Sequence, residues 1–429
     1  MRKFLFAIII ALFTSVAVMA ADRSHTLKVL NWADYIDPGV LENFPAWYYE
    51  QTGEEVDVIY QTFDINETAL TSIELGHEDY DVFCPSEYII DRMIKKNLLI
   101  PIDRDFGSTP DYTANISPFA ADKLRLMSDT VDVLDYAVGY MWGTAGFLYN
   151  PQYVDSLDVR SWGVILDPKY KGKLLMKDAY RDVYSVLVQY AYREDIANGT
   201  VDRQELVANP TQERIDSVLS VLHAAKDNIA GWEVDFGKEQ MAKGEQWIDL
   251  MWSGDAQWAI DESEPMGIML DYAIPDEGSI VWFDGWVIPA YAKNVKAARY
   301  FINYLCIPEN AIANMQEAGY VSTIGTIEIA EAMADDGYAP IDASYFFGIG
   351  FDEYPVNPIY YPDRSVIERC ALMHDVTAEQ SEALLSMWGK AKHTDHGWVL
   401  WVFGGVLALA FLIFAYSKVR PYFRKKKDE

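Results

Sequence analysis

The sequence predicts an α/β protein of two lobes with mixed, mainly parallel sheets, followed by one helix long enough to cross a membrane, and three observations predict it. Short alternating or apolar runs end at turn signals and are separated by segments of helical periodicity. Roughly 370 residues lie between the two terminal segments of a chain that is 51% apolar, enough for two such lobes. Residues 398–416 form an uncharged run of 19 residues, matching an apolar layer of about 30 Å at about 1.5 Å per helical residue.

Residues 26–31 (TLKVLN) and 55–60 (EVDVIY) alternate as strands do, and 81–84 (DVFC) is a short apolar run before Pro85. Between them the pattern is helical. The first helix opens at Asp37-Pro38, a cap residue followed by proline at the first helical position, and stops near Thr52-Gly53. Pro45 inside it predicts a kink or break. A second helix is expected over 66–76. Strand, helix, strand, helix, strand implies right-handed crossovers and a parallel sheet. Farther on, strands are expected at 173–176, 247–252 and 280–289, with helices at 182–193, 212–230 and 293–306. The stretches 136–150 and 280–289 read as the strands that pass between the lobes. The expected division is 26–138 with 284–325 for one lobe and 139–283 with 326–388 for the other.

The ends read differently. Arg2-Lys3, an apolar run over 4–13 and small residues before position 20 form a secretory signal over 1–20. At the other end, 389–397 is a connector, 398–416 the spanning helix and 417–429 a basic tail. Trp398, Trp401, Tyr416 and Tyr422 flank the apolar run, and six basic residues after it place the tail in the cytoplasm. The protein is thus expected outside the cytoplasm, anchored in the inner membrane.

The formal net charge is −30; without the two basic residues of the signal and the six basic and two acidic ones after position 417, 27 Lys and Arg face 63 Asp and Glu. Such a surface repels nucleic acid and attracts cations. Cys84, Cys306 and Cys370 cannot all pair within one chain and are expected buried and free.

In open α/β sheets, ligands bind beyond the carboxyl ends of the strands. Five predicted strand ends carry aromatics with carboxylates: Trp32 to Tyr35, Ser86 to Tyr88, Asp178 to Asp182, Trp252 to Asp255, and Trp282 with Asp284. Trp282 and Asp284 are two apart on a strand and so project to one face. A ring face beside a carboxylate suits an ammonium group. Other roles stay open at this point: Trp32 and Trp252 as core aromatics, Asp178 as a helix cap, Asp182 as an acid favoured by the helix dipole. Asp284 is harder to place structurally, because a charge within an apolar strand is costly unless partnered.

Asn31-Trp-Ala-Asp-Tyr35, Asp81-Val-Phe-Cys-Pro-Ser-Glu-Tyr88 and Trp282-Phe-Asp284, with Asn66-Glu67 and Gly319-Tyr320, resemble motifs of the spermidine/putrescine-binding proteins of bacterial polyamine ABC importers. The similarity covers about residues 26–325. It implies a type II periplasmic-binding-protein fold, two lobes closing about a hinge. It further implies that Trp32 and Tyr35 line one wall, that Ser86 and Tyr88 hold an end amine, and that Trp282 and Asp284 grip another ammonium. Asp182 and Asp178 stand where family acids occur, and Trp252 and Tyr320 complete an aromatic box. The chain departs from the pattern at Ala33, where some relatives carry a hydroxyl, and at Met373, where some carry a glutamine.

The function expected is capture of spermidine or putrescine by a monomer and delivery to a separate ABC permease and its ATPase. The alternatives are a binding protein of the same fold for a sugar, an amino acid or a ferric ion, and a glycoside-processing enzyme with paired acids. No catalytic motif of the G-x-S-x-G, H-E-x-x-H or phosphate-loop type occurs, so no enzyme is expected. Neither a cofactor nor a metal site is expected.

Overall fold

The computed structural model describes residues 23–128, 130–348 and 350–392 of the chain. Its strands are β1 (Thr26–Trp32), β2 (Asp57–Phe63), β3 (Val82–Phe83), β4 (Leu99–Ile100), β5 (Ala137–Tyr149), β6 (Leu174–Lys177), β7 (Ile229–Glu233), β8 (Ile248–Trp252), β9 (Asp271–Ala273), β10 (Ser279–Pro289), β11 (Val321–Ser322) and β12 (Cys370–Ala371). They hydrogen-bond in the order β2-β1-β3-β10-β5-β8-β6-β7. β1 is parallel to β2 and β3, and β6 is parallel to β7 and β8.

These two parallel groups are joined by the long antiparallel pair β5 and β10. The last five residues of β5, from Ala145, pair with β8, whereas Val287 of β10 meets Phe83 of β3. Both long strands are buried along their whole length, as expected of strands covered on both faces. Their ladder shifts register between Phe283 and Gly285. Asp284 stands at that irregularity, where side chains are re-aimed.

Local chemistry sets most helix ends. The helix Pro38–Thr52 is capped by Asp37, whose carboxylate accepts from the Val40 N–H at 2.8 Å, and it ends at Gly53 in the left-handed region with φ 71°. Of the kink or break expected at Pro45, the break does not occur: the helix runs through it. Phe44 and Tyr48, on either side of it, are buried against Phe301, Tyr304 and Tyr300 with ring centroids 5.0–5.6 Å apart, and that packing holds the segment through the missing hydrogen bond. The helix expected over 212–230 stops at Ala225, and Ile229 begins β7.

The fold class needs one correction. Among the described residues no helix is long and apolar enough to cross a membrane, so the structure carries the α/β part of the expectation, two parallel strand groups joined by a long antiparallel pair, and not a spanning helix. The segment 398–416, its basic tail, the part of the connector after 392 and the signal over 1–20 lie outside the described residues. Cys84, Cys306 and Cys370 are all buried and free.

Candidate ligand-binding site

A carboxylate within a buried strand needs hydrogen-bond donors, and the structure supplies two. Asp284 Oδ1 accepts from the Ser86 hydroxyl at 2.7 Å, and Oδ2 accepts from the Tyr35 hydroxyl at 2.8 Å. Ser86 precedes the helix Glu87–Lys95 but gives that helix no side-chain cap. Its hydroxyl is committed to Asp284, and the two residues also form a backbone bridge. Burial, with Asp182 nearby, pushes the Asp284 carboxyl up to about 6, against the pull of the Ser86 and Tyr35 hydrogen bonds.

Asp182 lies in the first turn of the helix Tyr180–Ala191 and accepts from the Trp252 indole N–H at 3.0 Å. Burial raises its pKa as well. Two buried carboxylates close enough to repel each other favour a ligand that brings positive charge to both.

The rings assemble around this pair. Trp282 meets Tyr320 edge-on at 5.2 Å and Trp252 at 6.5 Å, and Tyr320 meets Tyr35 at 5.9 Å. Gly143, paired with Trp282 across β5 and β10, makes this packing possible, because a Cβ there would lie 2.6 Å from the indole. The indole N–H groups of Trp282 and Trp32 are buried with no hydrogen-bond partner among the described residues. Trp32 itself packs on Phe63 at 4.3 Å.

Two of the expected residues are turned to other partners. The Tyr88 hydroxyl faces Asn66 and Glu67, at 3.2 and 3.3 Å, and the Arg181 guanidinium lies over its ring at 4.8 Å. Asp178 is engaged by the C-terminal helix. Its carboxylate accepts from the Trp388 indole at 3.0 Å and from Lys392 at 2.5 Å, both on the helix Ala378–Lys392.

Sequence reasoning missed Glu87. It is wholly buried, with Oε2 accepting from the Phe283 N–H at 3.1 Å and Oε1 without a partner among the described residues. Burial, with Asp284 and Asp182 nearby, raises its pKa well above the usual carboxylate range. Its place between Ser86 and Tyr88 was a signal, but a glutamate in a first helical turn reads as an exposed acid. A surface cleft of about 520 Å³ elsewhere is lined by Arg160, Arg193 and Arg203 with Asp276 and Glu277, a set less suited to a cation.

The family model for bacterial extracellular solute-binding proteins matches residues 46–340. The chain belongs to that family. It is therefore a solute-binding protein that works outside the cytoplasm, not an enzyme. Among its relatives, the spermidine/putrescine-binding periplasmic protein of Escherichia coli (strain K12) is 31% identical over 311 residues, 72% of this chain and 81% of that one. The putrescine-binding periplasmic protein PotF of the same organism is 28% identical, covering 69% and 76%. A solved structure of the spermidine/putrescine ABC transporter substrate-binding protein PotD from Streptococcus pneumoniae matches with TM-score 0.63 at 26% identity, covering 86% of this chain and all of that one.

Because Asp284 titrates near pH 6 in the ligand-free protein, binding of a cation should weaken as the pH falls. A bound ammonium lowers the carboxyl's pKa, so binding releases a proton in acid solution. Lowering the pH from 7 to 5 is expected to reduce affinity about tenfold, with little change from 7 to 8; titration calorimetry in two buffers of different ionisation heat checks both the trend and the proton release.

Proposed function

We propose that this chain captures a polyamine outside the cytoplasm and delivers it to the permease of an ABC importer. The observation that carries the reading is Asp284, a buried carboxylate already held by two hydroxyl donors and accompanied by Asp182 and the rings of Trp282, Trp252, Tyr320 and Tyr35. A hydrogen bond from an ammonium to a buried carboxylate contributes about 1.5–3 kcal/mol, an aromatic face about 0.5–2 kcal/mol, and each covered methylene about 0.8 kcal/mol. A sugar would leave both acids uncompensated. An amino acid would require a cation for its carboxylate.

The names of the relatives support the same ligand class. Ser86 and Tyr35 hold Asp284 after β3, Trp252 holds Asp182 after β8, and the Trp282 ring contacts both Trp252 and Tyr320. A ligand bridging the two acids would draw the two parallel groups of strands together. Thermal unfolding of the full chain tests this reading. Putrescine or spermidine at about 100 times Kd should stabilise the protein by about 2.7 kcal/mol and raise Tm by a few degrees, whereas glucose, glutamate and ferric citrate should leave it unchanged. A rise with one of those three and none with either polyamine would reject the proposal.

A further inference from the structure

The chain carries 65 acidic and 35 basic residues, yet one surface cleft of about 520 Å³ gathers Arg160, Arg193 and Arg203. Four separate segments meet there. Arg160 ends the turn Asp158–Arg160, Arg193 opens the short helix Arg193–Ala197, Arg203 opens the helix Arg203–Ala208, and Asp276 with Glu277 lies just before β10. Like charges drawn to one concavity repel unless acids of the chain or a bound anion compensate them.

The acids of the cleft are already engaged. Asp276 lies 2.7 Å from the Arg160 guanidinium, and its backbone N–H donates to the Arg160 carbonyl at 2.8 Å. Glu277 accepts from the Ser161 hydroxyl and, at 3.3 Å, from the Trp162 N–H. Asp202, next to Arg203 in sequence, accepts instead from the Glu205 N–H at 3.2 Å and so caps the helix. Among the described residues Arg203 has no ion pair. Its Nε donates to the Glu277 carbonyl at 2.9 Å, its Cδ lies against Gly278, where a Cβ would come within 3.0 Å, and its Nη groups make no hydrogen bond. Burial and the nearby Arg369 lower its pKa. Arg369 in turn has Asp276 only at 4.0 Å. Arg193 stacks on the Tyr190 ring at 4.6 Å, and its acid neighbour is Glu194 at 3.9 Å, largely exposed. Positive charge at this cleft thus exceeds what its own carboxylates neutralise.

We propose that this cleft is a second ligand site that takes a small phosphate monoester, with the phosphate on Arg203, Arg193 and Arg160 and the organic part on Leu157 and Ile196. A phosphate monoester brings about −1.5 to −2 charge at neutral pH and three acceptor oxygens, which several guanidinium forks can share. A carboxylate brings one charge to three arginines. The apolar wall of Leu157 and Ile196 gives the organic part a contact that inorganic phosphate cannot use. The cleft is remote from Asp284: Ser279, which follows Gly278, stands five positions before Asp284 on β10, roughly 16 Å at about 3.3 Å per residue. The two sites can be filled together, and this proposal holds or fails apart from the polyamine reading.

Titration calorimetry of the full chain with phenyl phosphate, inorganic phosphate and phenol, at about pH 7.5 and about 50 mM salt, tests it. Phenyl phosphate is expected to bind with Kd of about 1 mM or tighter, inorganic phosphate at least about threefold more weakly, and phenol not at all. Raising the salt to about 200 mM should weaken phenyl phosphate severalfold. Arg203→Gln should weaken it about tenfold or more, with the response to putrescine the same as in wild type. Should Arg203→Gln fail to fold, Arg193→Gln, on the short exposed helix, should weaken phenyl phosphate about threefold or more. No heat with phenyl phosphate, or affinity unchanged in the folded arginine variants, would overturn the site. Inorganic phosphate bound as tightly as phenyl phosphate would overturn the role given to Leu157 and Ile196.

Discussion

Asp284→Asn is expected to weaken putrescine or spermidine binding about 30-fold or more at pH 7. Truncating one charge of a buried, hydrogen-bonded ion pair costs about 2–5 kcal/mol, and about 1.4 kcal/mol is a factor of ten in Kd. The amide has nearly the shape of the carboxylate, and its oxygen can still accept from Ser86 or Tyr35, so the fold should persist. Stability of the ligand-free protein supplies an independent check. The folded-state pKa of Asp284, about 6, lies above the ordinary 3.8, so the native state holds the proton more tightly than the unfolded chain. Its contribution is fully present below about pH 4 and is lost as pH rises to about 6, a change of roughly 3 kcal/mol. In Asp284→Asn that part of the pH dependence should vanish. Denaturant unfolding from pH 4 to 7 reads the difference, and identical profiles for the two proteins would mean that Asp284 is not the buried, titrating group.

Trp282→Ala should be the most destabilising single change in the site, at about 3–5 kcal/mol in denaturant unfolding. Trp282 is 8% exposed, contacts Tyr320 and Trp252 edge-on, and presses on Gly143. Removal of the indole leaves a cavity that β5 and β10, paired on both sides, cannot easily close. Where the variant remains folded, polyamine affinity should also fall tenfold or more through loss of the ring face over the ammonium. Trp282→Phe separates the two effects: it should recover most of the stability and only part of the affinity. A variant with alanine as stable as wild type would contradict the packing role.

The legible parts of this molecule were those fixed by neighbours in sequence. β1 and β10 follow from alternating or apolar runs, the first helix from Asp37-Pro38 and Gly53, and the pairing of Trp282 with Asp284 from a spacing of two. The illegible parts depend on distant partners. β7 (IAGWE) is short, half-buried and interrupted by a glycine, so its apolar residues read as the end of the preceding helix. Asp178 looked like Asp182 in sequence, and only the arrival of Trp388 and Lys392, more than 200 positions later, turns it away. Glu87 has no local mark of burial; the backbone of Phe283 makes the difference. Asp255 stood within a strand end singled out from sequence, yet its pairing with Lys177 requires β6 and β8 to lie side by side. The apolar run near the C-terminus was legible as a length, but the described residues contain no spanning helix.

On the proposed function, an ammonium group is held at Asp284 within the aromatic box. A crystal structure of the chain with putrescine or spermidine tests it most directly. One ligand nitrogen is expected about 2.7–3.0 Å from an Asp284 carboxylate oxygen, a second beside Asp182, and methylenes against Trp282 and Trp252. Ligand bound away from Asp284, for example in the arginine-lined cleft at Arg160 and Arg203, would contradict it.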